Sequence, residues 1–137
     1  MIYGIGVDII NIGRMKAIIE RWGMRFINRI FTPREADLCY RRPKSVSSFA
    51  LRFAAKEAFS KAIGLGMRKV IRWSDIEIFN HPSGKPDIRL TGKALRICNN
   101  EGIGWHLTLS DELDYGVAVV VLEKSDTGDK MERSKRS

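Results

Sequence analysis

The first third of the chain changes from a strand pattern to helical ones. Residues 2–10 are apolar apart from one charge and two glycines, which predicts a first strand. Asn11 then offers a helix cap, and the apolar side chains beyond it recur at helical spacing and predict an amphipathic helix, interrupted near Gly23. Threonine, proline and a glutamate three residues after the cap predict a second helix that starts at Thr32 and ends before Pro43.

The middle of the chain predicts one long helix, and the remainder predicts mainly strands. FALRFAAKEAFSKAI is rich in strong helix formers, with Ser47 or Ser48 as its cap and Gly64 as its end. Strands are predicted over 76–79, 88–90, 105–109 and 115–122, with a short helix from Thr91 to Cys98. This order, with helices early and strands late, predicts an α+β domain over 1–124. Residues 125–137 lack apolar periodicity and predict a disordered tail.

The composition is that of a basic protein with its own core. The 137 residues carry a net charge of +8, and a chain of this length buries roughly two thirds of its unfolded surface without disulfides or metal. The longest apolar run, 117–122, is far short of the ~20 residues that span a bilayer, and the amino terminus does not resemble a secretory signal. We therefore expect a cytoplasmic protein without membrane contact. Cys39 and Cys98 are far apart in sequence, and we expect both to be reduced and half-buried.

Half of the net charge lies in one stretch of predicted helix. Residues 14–29 carry five basic side chains and one acidic one, and Arg14, Arg21 and Arg25 fall on a single stripe of that helix. The stripe is either a solvated surface or a docking surface for an acidic partner, because guanidinium groups match carboxylates and phosphates. The charge also favours a nucleic-acid-binding module as the alternative, but the sequence has no recognised binding signature and no clear set of aromatic stacking positions.

Three charged residues are the main candidates for chemistry. Asp8 lies in an apolar strand, where a carboxylate is costly unless it is hydrated or meets a cation. Glu57 and Lys61 are four residues apart on the long helix, which fits an ordinary surface pair as well as a site. If Asp8 and Glu57 converge, they form a two-carboxylate site of the kind that Mg²⁺ uses together with phosphate oxygens, and Lys61 could steady a phosphate. Lys85 and His106 are weaker signals. Lys85 fits an ordinary charged residue of a loop and His106 a histidine packed in a strand, but both also fit contacts with a phosphate or a base.

Four segments, taken in order, resemble one enzyme family. They are GIGVDI at 4–9, RFAAKEAFSKAIG at 52–64, DIEIFN followed by GKP at 84–86, and HLTLSDELDYGVAVVVLE at 106–123. In this combination the chain resembles the bacterial holo-[acyl-carrier-protein] synthases, the short members of the 4′-phosphopantetheinyl transferase family. The resemblance implies transfer of the phosphopantetheine arm of coenzyme A to a serine of apo acyl carrier protein, with release of adenosine 3′,5′-bisphosphate, in fatty acid biosynthesis.

The resemblance also implies roles for the candidate residues. Asp8 and Glu57 would bind Mg²⁺ beside the diphosphate of coenzyme A, and Lys61 would lie next to that diphosphate. The carrier serine would attack the β-phosphate, and Glu57 or a metal-bound water, helped by Lys61, would take its proton. The residues implied to lie near coenzyme A are Lys61, Gly64, Gly84, Lys85, Pro86 and His106.

Docking and assembly are implied in the same way. The arginine stripe of Arg14, Arg21 and Arg25 corresponds to the element that docks the acidic acyl carrier protein, so the resemblance implies no nucleic-acid partner. Short members of the family are compact α+β trimers with helices packed on an antiparallel sheet and with sites at subunit interfaces. We therefore expect a homotrimer.

Overall fold

Two antiparallel sheets and a set of helices surround one long central helix in the computed structural model, which describes residues 1–64 and 71–125. The helices are α1 (Ile12–Trp22), α2 (Met24–Ile30), α3 (Pro33–Arg41), α4 (Ser45–Ile63) and α5 (Gly92–Glu101), with a 3₁₀ turn at Trp73–Asp75. The strands are β1 (Ile2–Asn11), β2 (Ile76–Asn80), β3 (Pro86–Leu90), β4 (Ile103–Glu112) and β5 (Tyr115–Lys124). The predicted α+β class, with helices packed on an antiparallel sheet, is confirmed.

The larger sheet has two faces of different character. Its strand order is β1-β5-β4, and the second sheet is the hairpin of β2 and β3. In β1, Asp8 lies opposite Ala118 of β5. As in any strand, successive residues of β1 point alternately to the two faces of the sheet. The inner face, which carries Gly4, Gly6 and Asp8, is covered by α4. The outer face carries Ile5, Val7 and Ile9 and is exposed within a single chain.

Close packing of α4 on β1 explains the glycines of the first strand. A Cβ atom at Gly4 would collide with the backbone carbonyl of Ala62, and one at Gly6 with the carbonyl of Ala58. Alanines on the helix and glycines on the strand therefore let the two backbones approach more closely than larger side chains would allow. This approach places the last turns of α4 over Gly4 and Gly6, and the Lys61 side chain contacts Asp8 further along β1.

The core has two parts that share α4. One part contains the small residues of α4, the inner face of the larger sheet, the hairpin and α5. The other part is rich in aromatic and aliphatic side chains from α1, α2, α3 and the first half of α4, with Phe31 and Phe49 in edge contact at 5.0 Å between ring centroids. Because α4 belongs to both parts, its residues are fixed from several directions, which suits a helix that carries a site.

Most predicted helix ends are confirmed, and two are wrong. The short helix α5 does not end at Cys98 but continues to Glu101, where Gly102 with a φ of +66° ends it. The Asn11 side chain accepts a hydrogen bond from the backbone N–H of Arg14 at 3.0 Å, and Thr32 forms the predicted capping box. The predicted cap of the long helix at Ser47 or Ser48 is wrong, because α4 begins earlier, at Ser45. The hydroxyl of Ser48 instead accepts a hydrogen bond from the Arg52 guanidinium at 2.8 Å inside the helix.

Other differences from the sequence predictions are small. β4 and β5 are longer than predicted, so that the turn between them narrows to Leu113 and Asp114. Both cysteines, Cys39 and Cys98, are fully buried rather than half-buried, and neither forms a disulfide. Of the predicted tail, 126–137 lies outside the described residues. Within 1–64 and 71–125, none of the helices is both long and apolar enough to cross a membrane.

Candidate functional site

The structure brings Asp8 and Lys61 together. The Lys61 ammonium lies 3.1 Å from the Asp8 carboxylate and donates a second hydrogen bond to the carbonyl of Val7 at 3.0 Å. Asp8 is thus not simply hydrated at a strand end, and Lys61 does more than form a surface pair within its helix. A half-exposed lysine next to a partly exposed carboxylate leaves both charges accessible to an anionic ligand and a cation.

Glu57 lies one helical turn before Lys61 and lines a cavity of about 550 Å³. The rest of the described lining comes from the end of α2, from α4 and from the segment around the 3₁₀ turn. These residues are Arg29, Ser60, Ile71, Arg72, Trp73 and Ser74. Two guanidinium groups and two hydroxyls around a carboxylate form a polar, cationic surface, which suits a phosphate-bearing ligand better than an apolar one.

The two candidate metal ligands come from separate elements, Asp8 from β1 and Glu57 from α4. Among the residues that the structure describes, no group of three or more His, Cys, Asp or Glu side chains is placed to hold a metal ion. Two carboxylates nevertheless fit Mg²⁺, which usually takes one or two protein carboxylates and completes its shell with water and substrate phosphates. The donor set therefore fits Mg²⁺ better than zinc, which prefers histidine and cysteine ligands.

The hairpin turn predicted to contact coenzyme A is tied to α4 by a buried arginine. Arg52 donates a hydrogen bond to the Asn80 side-chain oxygen at 2.8 Å, and Asn80 in turn donates to the carbonyl of Gly84 at 3.0 Å. Gly84 has a φ of +93°, which its neighbours Lys85 and Pro86 would not adopt readily. Burial lowers the pKa of the Arg52 guanidinium. Arg52 therefore fixes the position of this turn relative to Glu57 and Lys61.

His106 is not brought to the other candidate residues within one chain. It lies on the outer face of the larger sheet, next to Val121 of β5, and pairs with Glu123 at 3.2 Å. Asp8 and Lys61 lie on the side of the inner face. Gly64 caps the end of α4, and the residues after it, 65–70, lie outside the described part of the chain. A single copy therefore separates His106 from the remainder of the predicted site.

The predicted arginine stripe is divided between two helices. Gly23, with a φ of +55°, ends α1, so Arg14 and Arg21 lie on α1 while Arg25 lies on α2. All three side chains are exposed. Arg29 also lies on α2, and it lines the cavity beside Glu57.

Sequence reasoning missed two buried charges beside the site. Lys56 precedes Glu57 in α4 and forms an ion pair with Glu35 of α3 at 2.8 Å, with both side chains fully buried. Burial lowers the pKa of the Lys56 ammonium, and the negative charge of Glu35 opposes that shift. The available signal was a lysine in the alanine-rich long helix, three residues from both Phe53 and Phe59. A buried charge at that position requires a partner.

Comparisons with known proteins agree with these observations. The model of the 4′-phosphopantetheinyl transferase superfamily matches residues 4–120. A holo-[acyl-carrier-protein] synthase from Geobacter sulfurreducens is 43% identical over 125 residues, covering 90% of this chain and 99% of that protein. The crystal structure of the Neisseria meningitidis synthase superposes with a TM-score of 0.84 at 39% identity, covering 90% of this chain and 100% of that one.

A ligand-bound relative extends the comparison. The Helicobacter pylori synthase in complex with coenzyme A matches with a TM-score of 0.76 at 34% identity, covering 87% of this chain and 99% of that chain. These matches confirm the fold and the transferase function that the sequence motifs predicted. The chain belongs to the 4′-phosphopantetheinyl transferase superfamily.

Proposed function

We propose that this protein is an Mg²⁺-dependent enzyme that transfers the 4′-phosphopantetheine group of coenzyme A to a serine of apo acyl carrier protein, in fatty acid biosynthesis. The observation that carries the proposal is the ion pair of Asp8 and Lys61, one helical turn from Glu57, in a chain that matches the superfamily over residues 4–120. A relative solved with coenzyme A supports the choice of donor. A cytoplasmic location stays a prediction from the sequence.

Each of the three residues has a separate task in this proposal. Asp8 and Glu57 are the carboxylates that would hold Mg²⁺, which when bound neutralises charge on the diphosphate and on the leaving group. Lys61, half-exposed at the end of α4, binds a diphosphate oxygen with the ammonium that also contacts Asp8. Positioning and charge neutralisation supply most of the catalysis in phosphoryl transfer, so these tasks account for the charged residues at the site.

The reaction forms one bond to phosphorus and breaks another. The carrier serine oxygen attacks the β-phosphate of coenzyme A, and the bond from that phosphorus to the bridging oxygen of the diphosphate breaks. Adenosine 3′,5′-bisphosphate leaves with the bridging oxygen and its electron pair. The serine proton passes to Glu57 or to a water molecule beside it, with Lys61 stabilising the negative charge nearby.

The outer face of the larger sheet supports a homotrimer. Ile5, Val7 and Ile9 are 59%, 54% and 64% exposed, although all three are apolar. Paired antiparallel strands normally place polar residues on their solvent-facing side, so an apolar outer face favours contact with another copy. His106 lies on the same face, and in such an assembly it would reach the coenzyme A bound by a neighbouring copy. The site would then combine the inner face of one chain with the outer face of the next.

Docking of the carrier is assigned to the exposed arginines of the first two helices. Arg14, Arg21 and Arg25 offer guanidinium groups that match the carboxylates of an acidic protein. Association governed by such exposed charges weakens as salt rises, because mobile ions screen charges over about 10 Å at 0.1 M. We therefore expect the KM for the carrier to rise steeply with ionic strength, while the KM for coenzyme A changes less.

The direct test of the site uses matched carboxylate variants. The protein is incubated with coenzyme A, Mg²⁺ and an apo acyl carrier protein, and the carrier is weighed by mass spectrometry. We expect wild type to add one phosphopantetheine per carrier, and Asp8→Ala and Glu57→Ala to lose transfer at least about 10³-fold with the fold intact. Glu112→Ala, which removes an exposed carboxylate at the end of β4, is the control and should retain wild-type activity.

Three outcomes would contradict parts of this proposal. Wild-type turnover in Asp8→Ala or Glu57→Ala would show that these carboxylates do not form the site. Activity that survives exhaustive removal of divalent metal with a chelator would exclude the Mg²⁺ dependence, which otherwise should return when Mg²⁺ is added back. Tight, salt-sensitive binding of mixed RNA and DNA without any affinity for coenzyme A would favour the nucleic-acid alternative instead.

A further inference from the structure

A buried ammonium joins three separate segments next to the catalytic cavity. Lys56 is 0% exposed and Glu35 is 1% exposed. The Lys56 ammonium donates to the Glu35 carboxylate at 2.8 Å, to the carbonyl of Trp73 at 3.1 Å and to the carbonyl of Ile76 at 2.5 Å. An ammonium has three donors, and these three oxygens use all of them. Lys56 thus links α4 to α3 and to the segment that leads into β2.

Glu35 extends the same network to the hairpin. One carboxylate oxygen accepts from Lys56 and from the backbone N–H of Thr32, and the other accepts from the backbone N–H of Ile78 at 2.8 Å. The carboxylate therefore connects the start of α3 to β2. With Lys56 it forms a closed set of directed contacts between α3, α4 and the segment over residues 73–78.

The segment held by Lys56 is also a wall of the cavity that Glu57 lines. Trp73 and Ser74 lie on this wall, while Glu57 and Ser60 lie on α4. Because Lys56 is the residue before Glu57, its hydrogen bonds fix α4 and the wall relative to each other at the level of Glu57. Phe53 of α4 also stacks on Trp73, with ring centroids 5.8 Å apart, and so adds to the contact between α4 and the wall. This apolar contact is less directional than the hydrogen bonds of Lys56.

We propose that Lys56 is a positioning residue for the transfer reaction, whose buried hydrogen bonds set the spacing between Glu57 and the opposite wall of the cavity. This inference rests on the function proposed above. A buried ion pair is weak support for stability, since apolar residues of similar volume often replace such a pair without loss. Apolar residues could not reproduce the hydrogen bonds that Lys56 donates to the carbonyls of Trp73 and Ile76. These hydrogen bonds hold the cavity wall in place.

The test uses a variant in which no buried charge is left without its partner. Lys56→Met alone would leave the Glu35 charge buried and could prevent folding, so the variant is Lys56→Met with Glu35→Gln, which keeps the volume and an acceptor for Ile78. The control is Ile103→Ala, in the part of the core that contains α5 and the larger sheet. Both proteins are assayed below their melting temperatures with saturating coenzyme A and Mg²⁺, and the apo carrier is varied from below its KM to saturation.

We expect kcat of the double variant to fall at least about tenfold, because small misplacements of reacting groups have large effects on rate. The KM for the carrier should stay within twofold of wild type, since the docking arginines lie on other helices. Ile103→Ala should keep kcat within twofold of wild type even if its melting temperature is equally low. A double variant with wild-type kcat would overturn the inference, and so would an equal loss in the control, which would tie the effect to stability.

A second readout does not depend on activity. With 5-fluorotryptophan incorporated, ¹⁹F NMR separates the signals of Trp22, Trp73 and Trp105, and a Trp73→Phe sample assigns the one at the cavity wall. We expect the double variant to shift the Trp73 signal and to leave that of Trp105 in place. An unchanged Trp73 signal would overturn the inference even with the transferase function intact, whereas a wild-type protein that modifies no carrier would overturn the proposed function itself.

Discussion

The two faces of β1 have opposite relations to the rest of the chain. On the inner face, Gly4 and Gly6 let the backbone of α4 come so close that no side chain fits between, and Asp8 meets Lys61 there. On the outer face, Ile5 and Val7 are large, apolar and exposed. One strand thus has small residues where it is buried and large apolar residues where a single chain leaves it uncovered.

This contrast separates what one chain completes from what it leaves open. The inner face is covered within the same chain, because α4 packs on Gly4 and Gly6 and Lys61 forms an ion pair with Asp8. The outer face is as apolar as a protein interior but is exposed in a single chain, which is typical of the surface that forms an obligate interface. His106 lies on that open face, and we propose that the site is complete only where two copies meet.

The largest expected effect is on the inner face. In Gly6→Val the new side chain would collide with the carbonyl of Ala58, which belongs to a helix backbone and cannot move aside. We expect a loss of more than about 3 kcal/mol in the free energy of unfolding, the upper range of overpacking, or failure to fold. Urea unfolding measures it, with Val7→Ala on the outer face of the same strand as the control. A Gly6→Val protein as stable as the control would refute the close packing of α4 on β1.

A charge on the outer face should break assembly rather than folding. Val7→Asp places a carboxylate in the proposed apolar interface, where desolvation of an unpaired charge is costly. We expect a folded monomer by light scattering and circular dichroism, with transfer activity reduced at least about 10²-fold because the site loses its second contributor. Lys93→Asp, at an exposed position of α5, should change neither the assembly nor the activity. A fully active monomeric Val7→Asp protein would show that one chain is sufficient.

Removing His106 should have a moderate effect. In the proposed assembly, His106→Ala would delete one polar contact to the nucleotide part of coenzyme A, and a hydrogen bond to a charged group contributes about 1.5–3 kcal/mol. We expect the KM for coenzyme A to rise roughly tenfold or more with kcat little changed. Lys93→Ala, at an exposed position of α5, is the control. An unchanged KM in His106→Ala would remove this residue from the site.

The smallest effect concerns a carboxylate that belongs to neither face. Burial acts to raise the pKa of Glu77, but hydrogen bonds from Thr32 and Arg89, each 2.6 Å long, outweigh it and leave the pKa below its ordinary value of 4.5. A lowered carboxyl pKa stabilises the fold above the unfolded-state value, and the stabilisation is lost as pH falls through the folded-state value. We expect Glu77→Gln to be on the order of 1 kcal/mol less stable at neutral pH, with the difference shrinking in acid. A difference that is independent of pH in urea unfolding would contradict this ionisation.

Local sequence patterns predicted the helix ends that depend only on residues close in sequence. Asn11 and Thr32 cap helices as expected, Gly23 interrupts the first helix, and Gly64 ends the long one. The alanines of the long helix lie opposite Gly4 and Gly6 of β1, where the two backbones pack closely. Ser48 was assigned wrongly as a cap because its hydroxyl has a tertiary partner, Arg52, which no local pattern reveals.

The candidate site was predictable only in part. Asp8 stood out as a charge in an apolar strand, and the structure gives it the cation that it needed, Lys61. The buried pair of Glu35 and Lys56 joins residues 21 positions apart, and its contacts depend on how three elements pack. Likewise, the residues of β1 that face outward follow the same pattern as those of any strand. That this face is apolar and exposed becomes visible only when the exposure of each residue is known.

The central claim is that the inner face of the larger sheet in one copy and the outer face of that sheet in the next copy form one site. The most direct test of it is complementation between variants. Asp8→Ala, which damages the inner face, is coexpressed with His106→Ala, which damages the outer face, and transfer is assayed at coenzyme A concentrations well below KM. In a closed symmetric assembly with random mixing, about a quarter of the sites pair an intact inner face with an intact outer face, so we predict about a quarter of the wild-type rate per chain. A rate no higher than the average of the two variants assayed separately would contradict the claim.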